Sequence, residues 1–337
     1  MKNQLHAITI FRFFAAAYVF IFHINMRSPL TEGSLLLPFI KNGAVGMVFF
    51  FVLSGFILAY SHESGDFRGY YRKRIARIYP PYLFMGIISL PFLAYVEHEK
   101  IFGMLALFLT TTQAWFFNVF GLWNFGGTWS VSVEMFFYCL FPLILSNING
   151  NNCMKIMVAS YVIGSVIYPV AMYLGDNYTV SIYYTTPIYR LPEFVFGVSL
   201  GYMFSNGFRL DRKWFFAGLL LLAYGLSLSN QSFLQRNYII LPALAIIFLS
   251  SDNLIKGESI FSKVFIYLGE ISYSFYLMQI PLLLAIDRKL IPLFNSTIAN
   301  HVFFFAINLA LAAISYHAVE RNNKIRSIII GKKVVAQ

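Results

Sequence analysis

The sequence predicts an all-α fold: a polytopic helical membrane protein of about ten transmembrane helices plus one re-entrant or interfacial segment. Three observations carry this. Of the 337 residues, 58% are hydrophobic and only 12% charged, against the roughly 25% charged residues of soluble domains. The mean hydropathy is +0.67. The apolar residues also recur in blocks of about 17 to 20, the length a helix needs to cross the hydrocarbon layer. With no long polar gap between blocks, residues 1–337 read as a single membrane-embedded domain without room for a soluble catalytic domain or a receptor ectodomain.

In chain order the apolar blocks lie at about 7–26, 43–60, 81–96, 101–117, 129–146, 155–174, 188–205, 213–229, 238–250, 271–287 and 301–320. The first carries Arg12 and no small-residue cleavage site follows it, so it reads as a retained span and not a signal peptide. Basic residues gather between blocks, at Arg68, Arg72, Lys73, Arg74 and Arg77 and in the tail at Arg321, Lys324, Arg326, Lys332 and Lys333. Such clusters mark cytoplasmic segments and put both termini in the cytoplasm. Arg209, Arg212, Lys213, Lys256 and Lys263 then also fall inside. An even number of spans is required, so either 81–96 or 101–117 stops short of crossing; eleven spans is the alternative. The net charge of +11 is orientation in a membrane protein, not a nucleic-acid footprint. Cys139 and Cys153 are too few for a disulfide framework. No fixed-period repeat or Pro-rich or Gly/Ser-rich linker divides the chain, and Asn147–Asn152 is a polar turn.

Ionisable residues inside spans are costly unless they face a cavity or a partner. Arg12 and His23 are eleven residues apart, about three full turns, so they share one face of the first helix about 16 Å apart. Either that face lines a functional cavity, or Arg12 snorkels to the headgroups and His23 sits at the interface. In the fifth block, Glu134 lies about a turn and a half inside an apolar helix and shares a face with Ser130. By this topology Glu134 reaches a depth comparable to His23, and a His with a carboxylate partner is a general-base arrangement; the alternative is a carboxylate that only ties helices together. Arg74 and Arg77, at i and i+3 ahead of Pro80-Pro81, present two guanidinium forks suited to a phosphorylated ligand, or equally to anionic lipid. Arg190 and Glu193 are spaced to pair across one turn; the alternative is that Arg190 holds an acceptor. No His/Cys/Asp/Glu spacing suggests a metal site, and there is no Gly-rich phosphate loop and no Gly-x-Ser-x-Gly elbow.

At these residues the sequence resembles the acyltransferase-3 family of integral membrane O-acyltransferases. The motifs that agree, in order, are Arg12-x10-His23, Phe50-Phe51-Val52-Leu53-Ser54-Gly55-Phe56, Arg74-x-x-Arg77-Ile78-x-Pro80, Trp129-Ser130-x-Ser132-x-Glu134, Arg190-x-Pro192-Glu193-Phe194, and Leu268-Gly269-x-Ile271-Ser272-Tyr273-Ser274-x-Tyr276-Leu277. Where the family often has a His after Tyr-Leu-x, this chain has Gln279. Many members carry a C-terminal soluble hydrolase-like domain, so this chain resembles a stand-alone form. The resemblance implies a bacterial inner-membrane enzyme that takes an acetyl group from cytoplasmic acetyl-CoA, with no metal. The acceptor it implies is a hydroxyl of a lipid-linked, extracytoplasmic polysaccharide such as O-antigen or exopolysaccharide.

It further implies that Arg72, Arg74 and Arg77 bind the donor, and that His23, Glu134 and Arg12 are catalytic, His23 being oriented by Glu134. Trp129, Ser130, Ser132 and Arg190 would contact the acceptor. Direct transfer and a transient acyl-His23 are both compatible with it. Acceptor selectivity would come from loops 27–42 and 175–187, whose charges include Arg27, Glu32, Lys41 and Asp176. Two other classes fit the same charges: a transporter or flippase using Arg12, His23 and Glu134 as a substrate or proton pathway, and a non-catalytic assembly subunit.

Overall fold

In an apolar solvent the backbone must satisfy its own hydrogen bonds, and this chain does so almost wholly by helix. The computed structural model describes residues 5–62, 65–175, 181–228, 236–252, 254–255 and 259–331. Asp176, Lys256, Lys332 and Lys333, named above among the loop and tail charges, lie outside the described residues. The helices are α1 (His6–Asn25), the single-turn α2 (Leu37–Ile40), α3 (Gly46–Ser61), α4 (Tyr70–Ile88) and α5 (His98–Thr110). They continue as α6 (Phe125–Ser146), α7 (Cys153–Tyr173), the single-turn α8 (Ile182–Thr185), α9 (Pro187–Ser205), α10 (Arg212–Ser227) and α11 (Asn237–Leu249). The chain closes with α12 (Ile260–Glu270), α13 (Ser272–Asp287), α14 (Thr297–Ser315) and α15 (Asn323–Ile330).

Each expected apolar block carries a helix among the described residues, with 81–96 and 101–117 passing into short 3₁₀ turns after Ile88 and Thr110, and the protein is a polytopic helical membrane protein. Among the described residues, five helices can cross a membrane by length and apolarity alone, and a sixth results if α12 and α13, bent by 55° at Ile271, count as one broken span. The ten spans expected from block counting are not reached by that test, for identifiable reasons. Helix α4 carries Arg72, Lys73, Arg74 and Arg77, and α9 carries Arg190 and Glu193. Helices α10 and α11 have 16 and 13 residues. Helix α5 also has 13 residues, a rise of about 20 Å against a hydrocarbon core of about 30 Å, and it stops at Thr111 with φ of 54°.

Helix α3 sits at the centre. It is apolar on all sides, and 72% of its apolar window is buried, against 17% for α7; a helix hydrophobic all round belongs in the interior. Helix α7 instead turns Val158, Val162, Ile163, Val166 and Val170 outward, where lipid covers them. The contact of α3 with α9 is held close by glycine. A Cβ on Gly197 would lie 2.0 Å from Val52 O, and one on Gly201 2.3 Å from Phe56 O. Small residues four apart let membrane helices approach to backbone contact. A Cβ on Gly55, in the Ser-Gly-Phe motif, would lie 2.2 Å from Phe194 O, so this motif glycine acts in packing. Helix α1 lies against α3, α12, α13 and α14, which sets its Arg12–His23 face toward the middle of the bundle.

Candidate active site

Two cavities open along the α1–α3–α6–α13 core. The first, of about 220 Å³, is lined by Arg12 from α1, Ser54 from α3, Arg74 and Arg77 from α4, Ser130, Glu134 and Tyr138 from α6, and Tyr273 and Tyr276 from α13. The second, of about 510 Å³, is lined by Phe22 and His23 from α1, Arg27 just past its end, Trp123 and Trp129 around the start of α6, Tyr184, and Tyr276, Gln279 and Asp287 from α13. Helical periodicity explains how one helix serves both. On α1, Arg12 opens on the first cavity, and His23, three turns on, opens on the second. On α6, Trp129 faces the second cavity and Glu134 the first.

The arginine cavity is strongly cationic. Among the described residues, none of Arg12, Arg74 and Arg77 closes an ion pair, and Arg74 Nε is buried without a hydrogen-bond partner. Guanidinium forks left unpaired in a cavity are the donor set that phosphate or pyrophosphate requires. Among the described residues lining the cavity the one carboxylate, Glu134, is held by neighbouring hydroxyls: it accepts from Ser54 Oγ at 3.3 Å and from the Tyr138 hydroxyl one turn along α6. Arg72, also expected at a donor site, is exposed and outside the cavity lining. Arg68 is engaged nearby in the loop before α4, where its side chain holds the Asp66 carboxyl down to about 2.

The histidine cavity differs from the sequence-based expectation at its centre. His23 and Glu134 line different cavities, so Glu134 does not orient the imidazole. The partner of His23 is Gln279, whose Oε1 lies 3.0 Å from Nδ1. The amide is itself fixed, because Gln279 Nε2 donates to Tyr276 O at 2.8 Å. That donor assignment leaves Oε1 as an acceptor, so Nδ1 carries the proton and Nε2 keeps its lone pair. The carboxylate lies elsewhere than its helix position implies for a simple reason: spacing within a helix gives depth along that helix, while offsets between helices are set by packing. Gln279 had a readable signal as a lone amide in the run Tyr276–Ala285, where a buried amide needs a partner. Arg27, at the same end, donates to Asp287 at 2.7 and 2.5 Å and to His23 O at 2.9 Å, tying α1 to the end of α13.

The remaining expected contacts divide. Trp129 lines the histidine cavity and packs on Tyr184 at 5.0 Å, while Ser130 lines the arginine cavity. Ser132 lines neither; its buried hydroxyl accepts from Ala114 N at 3.3 Å. Arg190 lines neither cavity. It is 0% exposed, 2.8 Å from Glu193, which is 1% exposed, and its guanidinium lies over Phe51 and Tyr184. The N–H is not aimed along that contact, and Glu193 also accepts from Asn237 Nδ2 at 2.8 Å. This is a brace of α9 to its neighbours. No group of three or more metal-ligating side chains occurs among the described residues.

The fold and these cavities define an integral membrane enzyme with its polar chemistry buried in the bundle core. The chain belongs to the acyltransferase-3 family, whose acyltransferase domain matches residues 5–317, and it is therefore a membrane-bound acyltransferase. Acyltransferase MdmB of Streptomyces mycarofaciens is 26% identical over 302 residues, covering 82% of this chain and 78% of that protein. O-acetyltransferase OatA of Staphylococcus aureus is 23% identical over 352 residues, covering 92% of this chain; the chain spans 55% of OatA's length. A putative acetyltransferase, ORF330 of Acidianus two-tailed virus, is 24% identical over 289 residues, covering 83% of each. No solved structure matches.

Proposed function

We propose that the protein is a transmembrane O-acetyltransferase that moves an acetyl group from cytoplasmic acetyl-CoA to a hydroxyl of a lipid-linked, extracytoplasmic polysaccharide such as O-antigen or exopolysaccharide. One observation carries the reading: a cavity with three arginines that close no ion pair among the described residues and a cavity with an oriented histidine share the lining residues Met47 and Tyr276. The basic residues of the α3–α4 loop and of α15 support placing the arginine cavity and both termini on the cytoplasmic side of a bacterial inner membrane.

Arg74 and Arg77 hold the donor's phosphates, and Arg12 extends the cationic wall inward along α1. Arg12 lies about 16 Å along the helix from His23, so it acts on the donor and not on the carbonyl under attack beside His23. Glu134 limits the like-charge repulsion among the three arginines. In the other cavity, Trp123, Trp129 and Tyr184 present aromatic faces to a sugar ring. His23 Nε2 takes the proton of the attacking hydroxyl as the new C–O bond forms. The thioester C–S bond then breaks, and the CoA thiolate leaves and is reprotonated. Gln279 is a positioning residue that keeps the Nδ1–H tautomer, which a carboxylate does in many triads.

The test is CoA thiol release from acetyl-CoA by purified protein in lipid, with and without cell-envelope glycan. Release that depends on acceptor is expected for wild type and lost in His23→Ala. Acetyl-CoA binding is expected to survive His23→Ala and to be lost in Arg74→Ala/Arg77→Ala. A folded His23→Ala protein that transfers as well as wild type refutes the mechanism; counterflow of glycan in liposomes with no thiol released indicates a transporter.

A further inference from the structure

The two cavities have two lining residues in common, Met47 at the start of α3 and Tyr276 on α13. Their side chains form the partition between the arginine cavity and the histidine cavity. On the transferase reading above, the acyl end of the donor must cross that partition to meet a hydroxyl activated by His23.

The partition has one fixed wall and one soft wall. The Tyr276 hydroxyl donates to Gly127 O at 2.8 Å and accepts from Ser130 Oγ at 2.7 Å. Gly127 and Ser130 are one turn apart on α6, the first opening on the histidine cavity and the second on the arginine cavity. Behind them, α6 and α13 touch so closely that a Cβ on Gly127 would lie 2.6 Å from Ile280 Cγ1, and the Phe50 ring stands 6.4 Å from that of Tyr276. The tyrosine therefore has little room to swing. Met47 is 5% exposed and makes no side-chain hydrogen bond among the described residues; its unbranched thioether can change rotamer.

We infer that Met47 and Tyr276 form the constriction that selects the acyl group by size. The gap between a ring pinned by two hydrogen bonds and a flexible thioether admits an acetyl group, and each added methylene meets the same two walls. A pocket contact of this kind discriminates by about 10- to 200-fold per methylene. Met47 and Tyr276 are thus specificity-determining residues, distinct from the base and from the arginines that hold the donor.

The experiment compares kcat/KM for acetyl-, propionyl- and butyryl-CoA with one acceptor glycan, using purified protein in lipid. Met47→Ala is expected to raise the butyryl-to-acetyl ratio about tenfold or more, with Met47→Val giving a smaller rise should the alanine variant fail to fold. Tyr276→Phe, which keeps the ring but releases both hydrogen bonds, is expected to raise the ratio in the same direction. Met47→Trp should depress acetyl transfer while leaving acetyl-CoA binding intact. Folded Met47→Ala and Met47→Val proteins with wild-type ratios, alongside normal acetyl transfer by wild type, overturn the constriction and leave the transferase reading standing. No acyl transfer by wild type from any of the three donors overturns both.

Discussion

Replacing Gln279 by Leu removes the side chain that fixes the His23 tautomer while nearly preserving volume in a buried position. The amide makes two hydrogen bonds, one with His23 Nδ1 and one to Tyr276 O. The second is dispensable, because the Tyr276 carbonyl keeps its place in the α13 backbone ladder. Loss of the first removes about 1 kcal/mol of orientation, a factor of about five in rate at 1.36 kcal/mol per decade. The imidazole also becomes free to place its proton on either nitrogen, which adds a factor of a few. A fall in kcat of about 5- to 30-fold is therefore expected, with KM for acetyl-CoA unchanged because the arginine cavity is untouched. Removing the base itself in His23→Ala should cost about 10²- to 10⁴-fold. Acceptor-dependent thiol release by purified protein in lipid measures both. Wild-type kcat in folded Gln279→Leu would show that His23 needs no partner. A loss as deep as that of His23→Ala would show that Gln279 contacts the reacting groups, and either result refutes the positioning role.

Three further outcomes follow from the same geometry. Glu134→Gln and Gln279→Leu act in separate cavities, so their effects on activation free energy should add to within about 0.5 kcal/mol; strong coupling would restore a Glu134–His23 link. Glu193→Gln breaks a buried ion pair and should destabilise the protein by about 3 to 5 kcal/mol, seen as a lower midpoint of thermal unfolding in detergent, while the surviving folded protein keeps wild-type KM for donor and acceptor. Gly197→Ala and Gly201→Ala each place a methyl group against the α3 backbone and should cost about 1 to 3 kcal/mol by overpacking; unchanged unfolding midpoints would show that the α3–α9 contact is looser than described.

Periodicity makes some of the site legible without any tertiary information. The eleven-residue spacing of Arg12 and His23 sets them on one helical face, and the i, i+3 spacing of Arg74 and Arg77 does the same for the donor site; all four line cavities. The motif glycines were legible as a pattern, but their role was not, since Gly55 and Gly269 matter for what they touch. A Cβ on Gly269 would lie 2.0 Å from Thr9 O, which is how α12 comes to lie on α1. Arg190, Ser132 and Arg72 share the residue types of a binding site, yet burial in a brace, a hydrogen bond to Ala114 N, and exposure take each of them off the cavity walls.

The sequence by itself determined that this is an all-α membrane protein, where its apolar helices lie, and which charges share a helix face, because solvent transfer and a 3.6-residue turn are local properties. Only the tertiary structure decided which faces meet. His23 finds its partner 256 positions away, and Glu134 falls in with the arginines. The axial offset of one helix against another is fixed by glycine contacts, a 55° break between α12 and α13 and side-chain packing, none of which repeats along a single helix.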